Sequence, residues 1–214
     1  MAAPTLVLVP TPLERAHLGL LEDAPGLRLE TAGFGPVAAA ARTASLVAAL
    51  APARVLLVGL AGTYDAERLP LGAATTFRRT ALADLGAGRG DGFLSPADLG
   101  LPQWDDPADP AGPVHDLLPL APGPDPADLL LTVPTASGDA AHGAERLARH
   151  GAVAEDMEAF GVALACRLAG LPLTVVRGVS NHVGDRDLGN WVAREALAAA
   201  QDLTLRLLRE GATP

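Results

Sequence analysis

The 214-residue chain contains no lysine, and arginine supplies all 16 of its positive charges. Without lysine there is neither a Schiff-base amine nor the phosphate-cradling lysine of a P-loop, so two large enzyme classes drop out. Aromatic residues make up 3%, too few for recognition of a planar ring by a wall of stacked side chains. A lone cysteine, Cys166, excludes an intramolecular disulfide framework and makes a reducing cytoplasm the expected compartment. No apolar run reaches the length of a membrane span, and no charged n-region with a cleavage site marks a signal peptide. The five histidines have no metal-ligand spacing with Cys or carboxylates, so no metal is expected. A net charge of −9 argues against a nucleic-acid partner, which would be met by a surplus of basic side chains.

Hydrophobic residues account for 49% and charged residues for 19%, as in globular proteins. The length suits one well-buried domain over residues 1–214 and would leave two domains small. Leu6-Val7-Leu8-Val9 has the continuous apolar character of a buried strand. It stops at Pro10-Thr11-Pro12, where Thr11 can cap a helix, Pro12 takes its first position and Glu14 falls three residues after the cap. Leu27–Thr31 alternates as a strand does, and Ala38–Leu50 is an alanine-rich helix. Arg54–Val58 is another buried strand, opening into the glycine-rich loop Gly59-Leu60-Ala61-Gly62, and Ala73–Thr80 reads as a weaker strand at an edge. Residues 84–128, dense in Asp, Gly and Pro, form a surface excursion or partial lid. Leu129–Val133 is again a strand. It precedes a helix over Ala140–His150 that Ser137 or Asp139 caps and whose first N–H groups are free to meet a ligand. Met157, Phe160, Gly161, Leu164 and Leu168 follow helical spacing, with Cys166 as a small buried thiol. A strand over Leu173–Val179 and an amphipathic helix over Trp191–Leu208 complete the pattern. Strands with helices between them predict an α/β protein: three α/β/α layers around a mainly parallel, mixed and twisted central sheet.

Two stretches concentrate polar chemistry. Glu155-Asp156-Met157-Glu158 crowds acids at the start of an apolar helix, and Ser180-Asn181-His182 interrupts the end of a β-branched run. A rival signal is Gly33-Phe34-Gly35-Pro36-Val37-Ala38, which fits the dinucleotide fingerprint of an NAD-linked oxidoreductase. It is not on the first strand, Pro36 removes an N–H that would face a pyrophosphate, and the next strand ends in Gly59-Leu60-Ala61-Gly62 instead of a ribose-holding acid.

The glycine loop, Ser137-Gly138-Asp139-Ala140, Asp156-Met157-Glu158 and Arg177-Gly178-Val179-Ser180-Asn181 follow one another in the order found in the purine nucleoside phosphorylase and methylthioadenosine nucleosidase superfamily, which the chain resembles from Leu6 to Leu208. The Pro10-Thr11-Pro12-Leu13-Glu14 start and the Ser180-to-Trp191 tail are most similar to its futalosine hydrolase branch, which acts in menaquinone biosynthesis. The resemblance implies a nucleoside-phosphorylase-like fold, a cofactor-free, homo-oligomeric N-glycosyl hydrolase and a small-molecule purine nucleoside as substrate. It implies that Glu158 accepts hydrogen bonds from the ribose 2′- and 3′-hydroxyls, that Met157 packs under the sugar, and that Glu14 orients and deprotonates the attacking water. Ala61 and Gly62 would line the site, backbone near Ala140, Ala141 and His142 would contact the base, and Ser180 would stand beside it.

Two departures narrow the substrate. Where adenine-specific members carry Asp after the serine, this chain has Asn181. Its amide can donate to a 6-oxo group while its carbonyl accepts from a protonated N7, favouring hypoxanthine by ~1–3 kcal/mol if the wrong base leaves a buried polar atom unpaired. Where bacterial phosphorylases carry an Arg and a Ser for phosphate, this chain has Leu57 and Leu60. Arg15 alone offers too few donors, so water is the expected nucleophile. Arg186 or one of the histidines remains for the carboxylate of futalosine's aromatic side arm. The alternatives are a nucleosidase or phosphorylase acting on methylthioadenosine, S-adenosylhomocysteine or inosine, the oxidoreductase weighed above, and a non-catalytic nucleoside-binding module.

Overall fold

Leu6 and Leu8 project into one hydrophobic core while Val7 and Val9, their neighbours in the same strand, project into another. Side chains alternate across a strand, so a continuous apolar run demands cover on both faces of the sheet. The computed structural model, which describes residues 3–22 and 24–210, supplies that cover with helices on either side.

The elements in chain order are β1 (Thr5–Val9), α1 (Pro12–Arg15), β2 (Leu27–Thr31), α2 (Pro36–Leu50), β3 (Arg54–Thr63), β4 (Ala74–Leu82), α3 (Pro96–Leu99), β5 (Leu117–Pro119), β6 (Ala127–Thr132), α4 (Ala140–His150), β7 (Ala154–Asp156), α5 (Ala159–Leu168), β8 (Leu173–His182) and α6 (Ala193–Glu210). All eight strands join one mixed sheet in the order β2-β1-β3-β7-β6-β4-β5, with β8 parallel to β3 and antiparallel to the start of β4. Helices α2 and α5 cover one face, where Ala39, Leu46, Phe160 and Cys166 meet Leu6, Leu8, Val55 and Leu57. Helix α6, with Leu18 and Leu21, covers the other through Leu197 and Ala200 against Val7, Leu56 and Val176. The α/β expectation, with a mixed central sheet between helices, is met.

Several boundaries differ from the sequence pattern. Gly59–Gly62 is not a loop, nor is Ser180–His182: both continue their strands. β3 and β8 pair in parallel from Val55–Leu173 out to Thr63–His182, with one irregularity between Ala61 and Gly62. Each polar strand end satisfies the other's backbone groups, which a loop would have left to solvent. Ala154–Asp156, expected to lead directly into a helix, is the short strand β7 between β3 and β6. β4 is not an edge, because β5, β6 and β8 all pair with it. The helical pattern after Pro12 lasts only four residues, and the last helix starts at Ala193 instead of Trp191.

The 84–128 excursion is pinned to the helices by Arg146–Asp84 (2.5 Å), Arg167–Asp109 (2.5 Å) and the Arg149 guanidinium over the Phe93 ring. Cys166 is buried within α5, and burial pushes its thiol up to about 12. That matches an inert core thiol. Among the described residues no helix is long and apolar enough to cross a membrane.

Candidate active site

Strands β1, β3 and β8 run parallel, so their carboxyl ends open on one side of the sheet, where α/β proteins gather ligands. Pro10, Thr11, Leu13 and Glu14 follow β1, Leu60–Gly62 ends β3 and Ser180–Asn181 ends β8. Together with Glu155–Glu158 they line a cavity of about 520 Å³. A larger cavity, of about 630 Å³, lies between the excursion and α4 around Phe93, Glu145 and Arg149 and contains none of these groups.

Glu14 enters through the cap of α1. Its N–H donates to Thr11 Oγ1 (3.2 Å), as the capping pattern requires. Its carboxylate accepts instead from the Thr11 hydroxyl (2.7 Å) and from the backbone N–H of Leu60 (3.0 Å). The side chain therefore bridges β1 to β3 and faces the cavity. Arg15, next to it, turns away to pair with Glu22 (3.0 Å) and does not line the cavity.

Glu158 sits at the N-cap position of α5 without capping it. Asp156 accepts the Ala159 N–H (2.9 Å) and Thr132 Oγ1 accepts that of Phe160 (2.8 Å), so the helix start is satisfied by β7 and β6. Freed from that task, Glu158 accepts from the Gly35 N–H (3.1 Å) and lies 3.4 Å from the Arg177 guanidinium. In the segment that imitated a dinucleotide fingerprint, Gly35 thus holds a carboxylate while the Gly33 N–H donates to the Pro10 carbonyl (3.0 Å); both glycines have positive φ, Gly33 at 97° and Gly35 at 83°. Glu158 is 5% exposed. Burial pushes its carboxyl up to about 7, with Asp156 and Glu14 adding to the rise and Arg177 and the Gly35 N–H opposing it.

Asn181 Oδ1 accepts from the Ser180 hydroxyl (2.7 Å), and Nδ2 donates to the His182 carbonyl (2.9 Å). An amide has two N–H donors and two acceptor lone pairs, so one of each remains for a ligand. Met157, half-buried, lines the same cavity beside Ala61, Gly62 and Ser180. Ala140, Ala141 and His142 do not. Asp139 caps α4 by accepting the His142 N–H (2.8 Å), and Val133 and Ala136 line the cavity on that side instead. Ser137, the other capping candidate, is committed to Glu155.

Two contributors escaped the sequence reading. Arg177 is fully buried, clamps Asp156 through Nε (3.1 Å) and Nη2, and has no hydrogen-bond partner for Nη1 among the described residues. A Cβ at Gly59 would collide with that Nη1 and come 2.7 Å from Glu14 Oε1, so the free guanidinium corner and the Glu14 carboxylate meet above Gly59. The signal was present: an arginine inside a β-branched run must be buried, and a buried charge needs partners. Glu155 is the second. It is buried, lines the cavity and accepts from the Tyr64 hydroxyl (2.8 Å) and from Ser137 through both N–H (2.9 Å) and Oγ (2.7 Å). Burial, then the Glu155 charge, push the Tyr64 phenol up, so it stays a donor.

The outer wall is less acidic. Leu13, His17, Phe34, Arg186 and Trp191 line it. The Arg186 guanidinium lies 5.2 Å from the Trp191 ring centroid and forms no ion pair among the described residues.

Residues 129–209 match the model of the Phosphorylase superfamily. The chain is 39% identical to a futalosine hydrolase of Streptomyces coelicolor over 203 residues, 92% of this chain and 85% of that protein. It is 34% identical to a futalosine hydrolase of Thermus thermophilus over 198 residues, covering 85% and 80% of the two. Among solved structures it superposes on a 5'-methylthioadenosine/S-adenosylhomocysteine nucleosidase of Helicobacter pylori with a TM-score of 0.78 at 13% identity, covering 98% and 99% of the two chains. The native futalosine hydrolase structure of Helicobacter pylori gives a TM-score of 0.75, also at 13% identity, over 97% and 98%.

Proposed function

The chain belongs to the futalosine hydrolase family, a branch of the phosphorylase superfamily, and from that premise we propose how its cavity cleaves futalosine to hypoxanthine and dehypoxanthine futalosine in menaquinone biosynthesis. The protein is an N-glycosyl hydrolase. The observation that carries the mechanism is the convergence of Glu14, Glu158 and Asn181 on one cavity at the carboxyl ends of three parallel strands.

Cleavage of a nucleoside passes through an oxocarbenium-like sugar, so the enzyme must hold the diol, stabilise the leaving base and present water to the anomeric carbon. Glu158 holds the 2′- and 3′-hydroxyls, which donate to its carboxylate, and Met157 packs beneath the sugar. Glu14 accepts the proton of the attacking water as the C1′–N9 electron pair leaves with the base. Arg177 is a positioning residue: its charge favours the ionised form of Glu158, and its free guanidinium corner lies beside the Glu14 carboxylate over Gly59. Asn181 uses its remaining N–H on O6 and its remaining lone pair on an N7–H whose proton comes from solvent, the proton taken by Glu14 returning to solvent, while Ser180 fixes the amide's orientation. Ala61 and Gly62 form the floor.

Water is the nucleophile. Leu57 and Leu60 offer nothing to a phosphate dianion, and Arg15 is spent on Glu22. The substrate's side arm runs along the outer wall, with Arg186 and Trp191 taking its carboxylate and ring. Of the histidines, His17 lines that wall, whereas His142 and His182 do not line the cavity. The chain works as a single cofactor-free domain, without nucleic-acid partners, in the cytoplasm and as a homo-oligomer. Support for self-association is the apolar surface at the cavity, where the lining residues Leu13 and Phe34 are 82% and 66% exposed.

The deciding experiment incubates the protein with futalosine, aminodeoxyfutalosine, methylthioadenosine and inosine, with and without phosphate, and identifies the released base and sugar. Hypoxanthine released from futalosine at a rate indifferent to phosphate is the expected result. Phosphate-dependent release overturns hydrolysis, and preferential cleavage of methylthioadenosine overturns the base assignment.

A further inference from the structure

Glu155 has no place in the mechanism above, yet a buried carboxylate on a ligand cavity is costly to keep without a purpose. Its surroundings suggest one. The antiparallel β3–β7 register sets Glu155 opposite Gly62, and the parallel β3–β8 register sets Asn181 opposite the same Gly62. Directly opposed residues of neighbouring strands present their side chains to the same face of a sheet. Glu155, Gly62 and Asn181 therefore form one row, and all three line the cavity. The outer two stand two interstrand spacings apart, ~10 Å, with only a glycine between them. A Cβ at Gly62 would already touch Asn181 Nδ2 (3.4 Å) and Val183 Cγ2 (3.2 Å), so any larger residue would fill this slot.

The hydrogen-bond inventory of the row is specific. A carboxylate accepts about four hydrogen bonds. Glu155 accepts three, from Tyr64 Oη, Ser137 N and Ser137 Oγ. Arg146 Nη1, at 3.8 Å, is out of reach and donates to Thr135 O and Ser137 Oγ instead. One acceptor position remains. Across the slot, Asn181 has one N–H and one carbonyl lone pair left. The row thus offers acceptor, donor and acceptor to a flat ring seated against Gly62. The N1–C6–N7 edge of a 6-oxopurine presents the complement: N1–H donates, O6 accepts and a protonated N7 donates. A 6-aminopurine presents a bare N1 acceptor to the carboxylate instead.

We propose that Glu155 is a specificity-determining residue that accepts the N1–H of a 6-oxopurine across the Gly62 slot from Asn181. The inference rests on the nucleosidase reading and deepens it: two residues on opposite flanks of the base choose hypoxanthine, and Glu155 also excludes adenine by facing its N1 with a like acceptor. Tyr64 and Ser137 are positioning residues that hold the carboxylate in the row.

The test measures binding of hypoxanthine, 1-methylhypoxanthine and adenine by calorimetry to the unaltered protein and to Glu155→Gln, alongside futalosine turnover. The unaltered protein is expected to prefer hypoxanthine over both other bases by about ten-fold or more. In Glu155→Gln, whose amide can turn an N–H toward N1, the hypoxanthine-to-adenine preference should fall by a similar factor. Equal binding of hypoxanthine and 1-methylhypoxanthine to the unaltered protein overturns the proposal whatever becomes of the variant. A variant that weakens all bases alike, with its preference intact, gives Glu155 a structural role and also overturns it. Futalosine turnover with no base preference overturns Glu155 alone; absence of both turnover and base binding overturns the nucleosidase reading with it.

Discussion

Glu158 is held where its charge is expensive, and this gives the site a pH signature. The ionised form is the one that can accept from two sugar hydroxyls, and burial raises its titration to about 7. Because kcat/KM reports the free enzyme, it should fall as pH drops through about 7. The limb of kcat, reporting the occupied enzyme, should lie lower if a bound diol donates to the carboxylate as proposed, because that would favour its charge. A kcat/KM flat from pH 8 to pH 5 would contradict the role given to Glu158. The same displacement acts on stability. The folded-state value lies above the ordinary 4.5, so folding favours the protonated acid. That contribution is fully present below pH 4.5 and is lost as pH rises through about 7. Glu158→Gln should therefore raise Tm at pH 8, by an amount corresponding to roughly 2–3 kcal/mol, with little change at pH 5, while abolishing turnover. Equal shifts at both pH values would refute the burial argument. Glu14→Gln should spare substrate binding and lower kcat by about 10²–10⁴-fold, the range for a lost general base; single-turnover kinetics at saturating substrate checks it. Asn181→Asp should raise cleavage of adenine nucleosides relative to hypoxanthine nucleosides, and an unchanged ratio removes Asn181 from base selection.

At the scale of elements, the site depends on two close approaches. Helix α5 comes so near the start of α2 that a Cβ at Gly161 would collide with the Pro36 carbonyl. Gly-to-Ala in an unhindered helix gains about 1 kcal/mol, so Gly161→Ala separates propensity from packing. Here it should lower Tm and, by moving α5 relative to Gly35, weaken substrate binding as well; a raised Tm would show that the helices separate freely. The second junction is Asp156, which caps α5 and clamps the fully buried Arg177 from β8. Removing one partner of a buried pair leaves an uncompensated charge, so Asp156→Ala should cost about 3–5 kcal/mol, read as a loss of thermal stability larger than for any surface acid. These junctions explain where element boundaries misled the sequence pattern. Asp156-Met157-Glu158 looks like a helix start because the acids precede an apolar helical spacing. Yet Asp156 still belongs to β7, and Glu158 faces the cavity because Asp156 and Thr132 cap in its stead.

For the whole molecule, one sheet collects residues from both ends of the chain. Glu14 and Asn181 are 167 positions apart and line one cavity because β1, β3 and β8 lie side by side in the sheet. Leu13 and Phe34 line the cavity, Val37 follows in the first turn of α2, and all three are exposed. If this surface joins copies of the chain, sedimentation should report an oligomer, and Val37→Glu should shift it to the monomer; a monomer in both proteins removes the oligomeric assignment. The excursion at 84–128 lines none of the cavity, so it is not the lid its composition suggested. Its ion pairs with α4 and α5 hold it elsewhere.

The sequence alone determined the chemistry available. It contains no lysine and places Glu14 after a proline-bounded strand, Glu158 before an apolar helix and Asn181 at a strand end. These are local features, readable because capping, proline geometry and apolar periodicity act over a few residues. Tertiary structure decided which groups meet. The pairing of two apparent loops into the ends of β3 and β8, the free corner of Arg177 beside Glu14, and the Glu155–Gly62–Asn181 row all depend on strand register. Register is set between segments more than ninety residues apart by which faces must be buried together, and no local pattern records it. The cavity seen first in the sequence as a sugar clamp and an amide is, in the fold, a slot whose two flanks come from different strands.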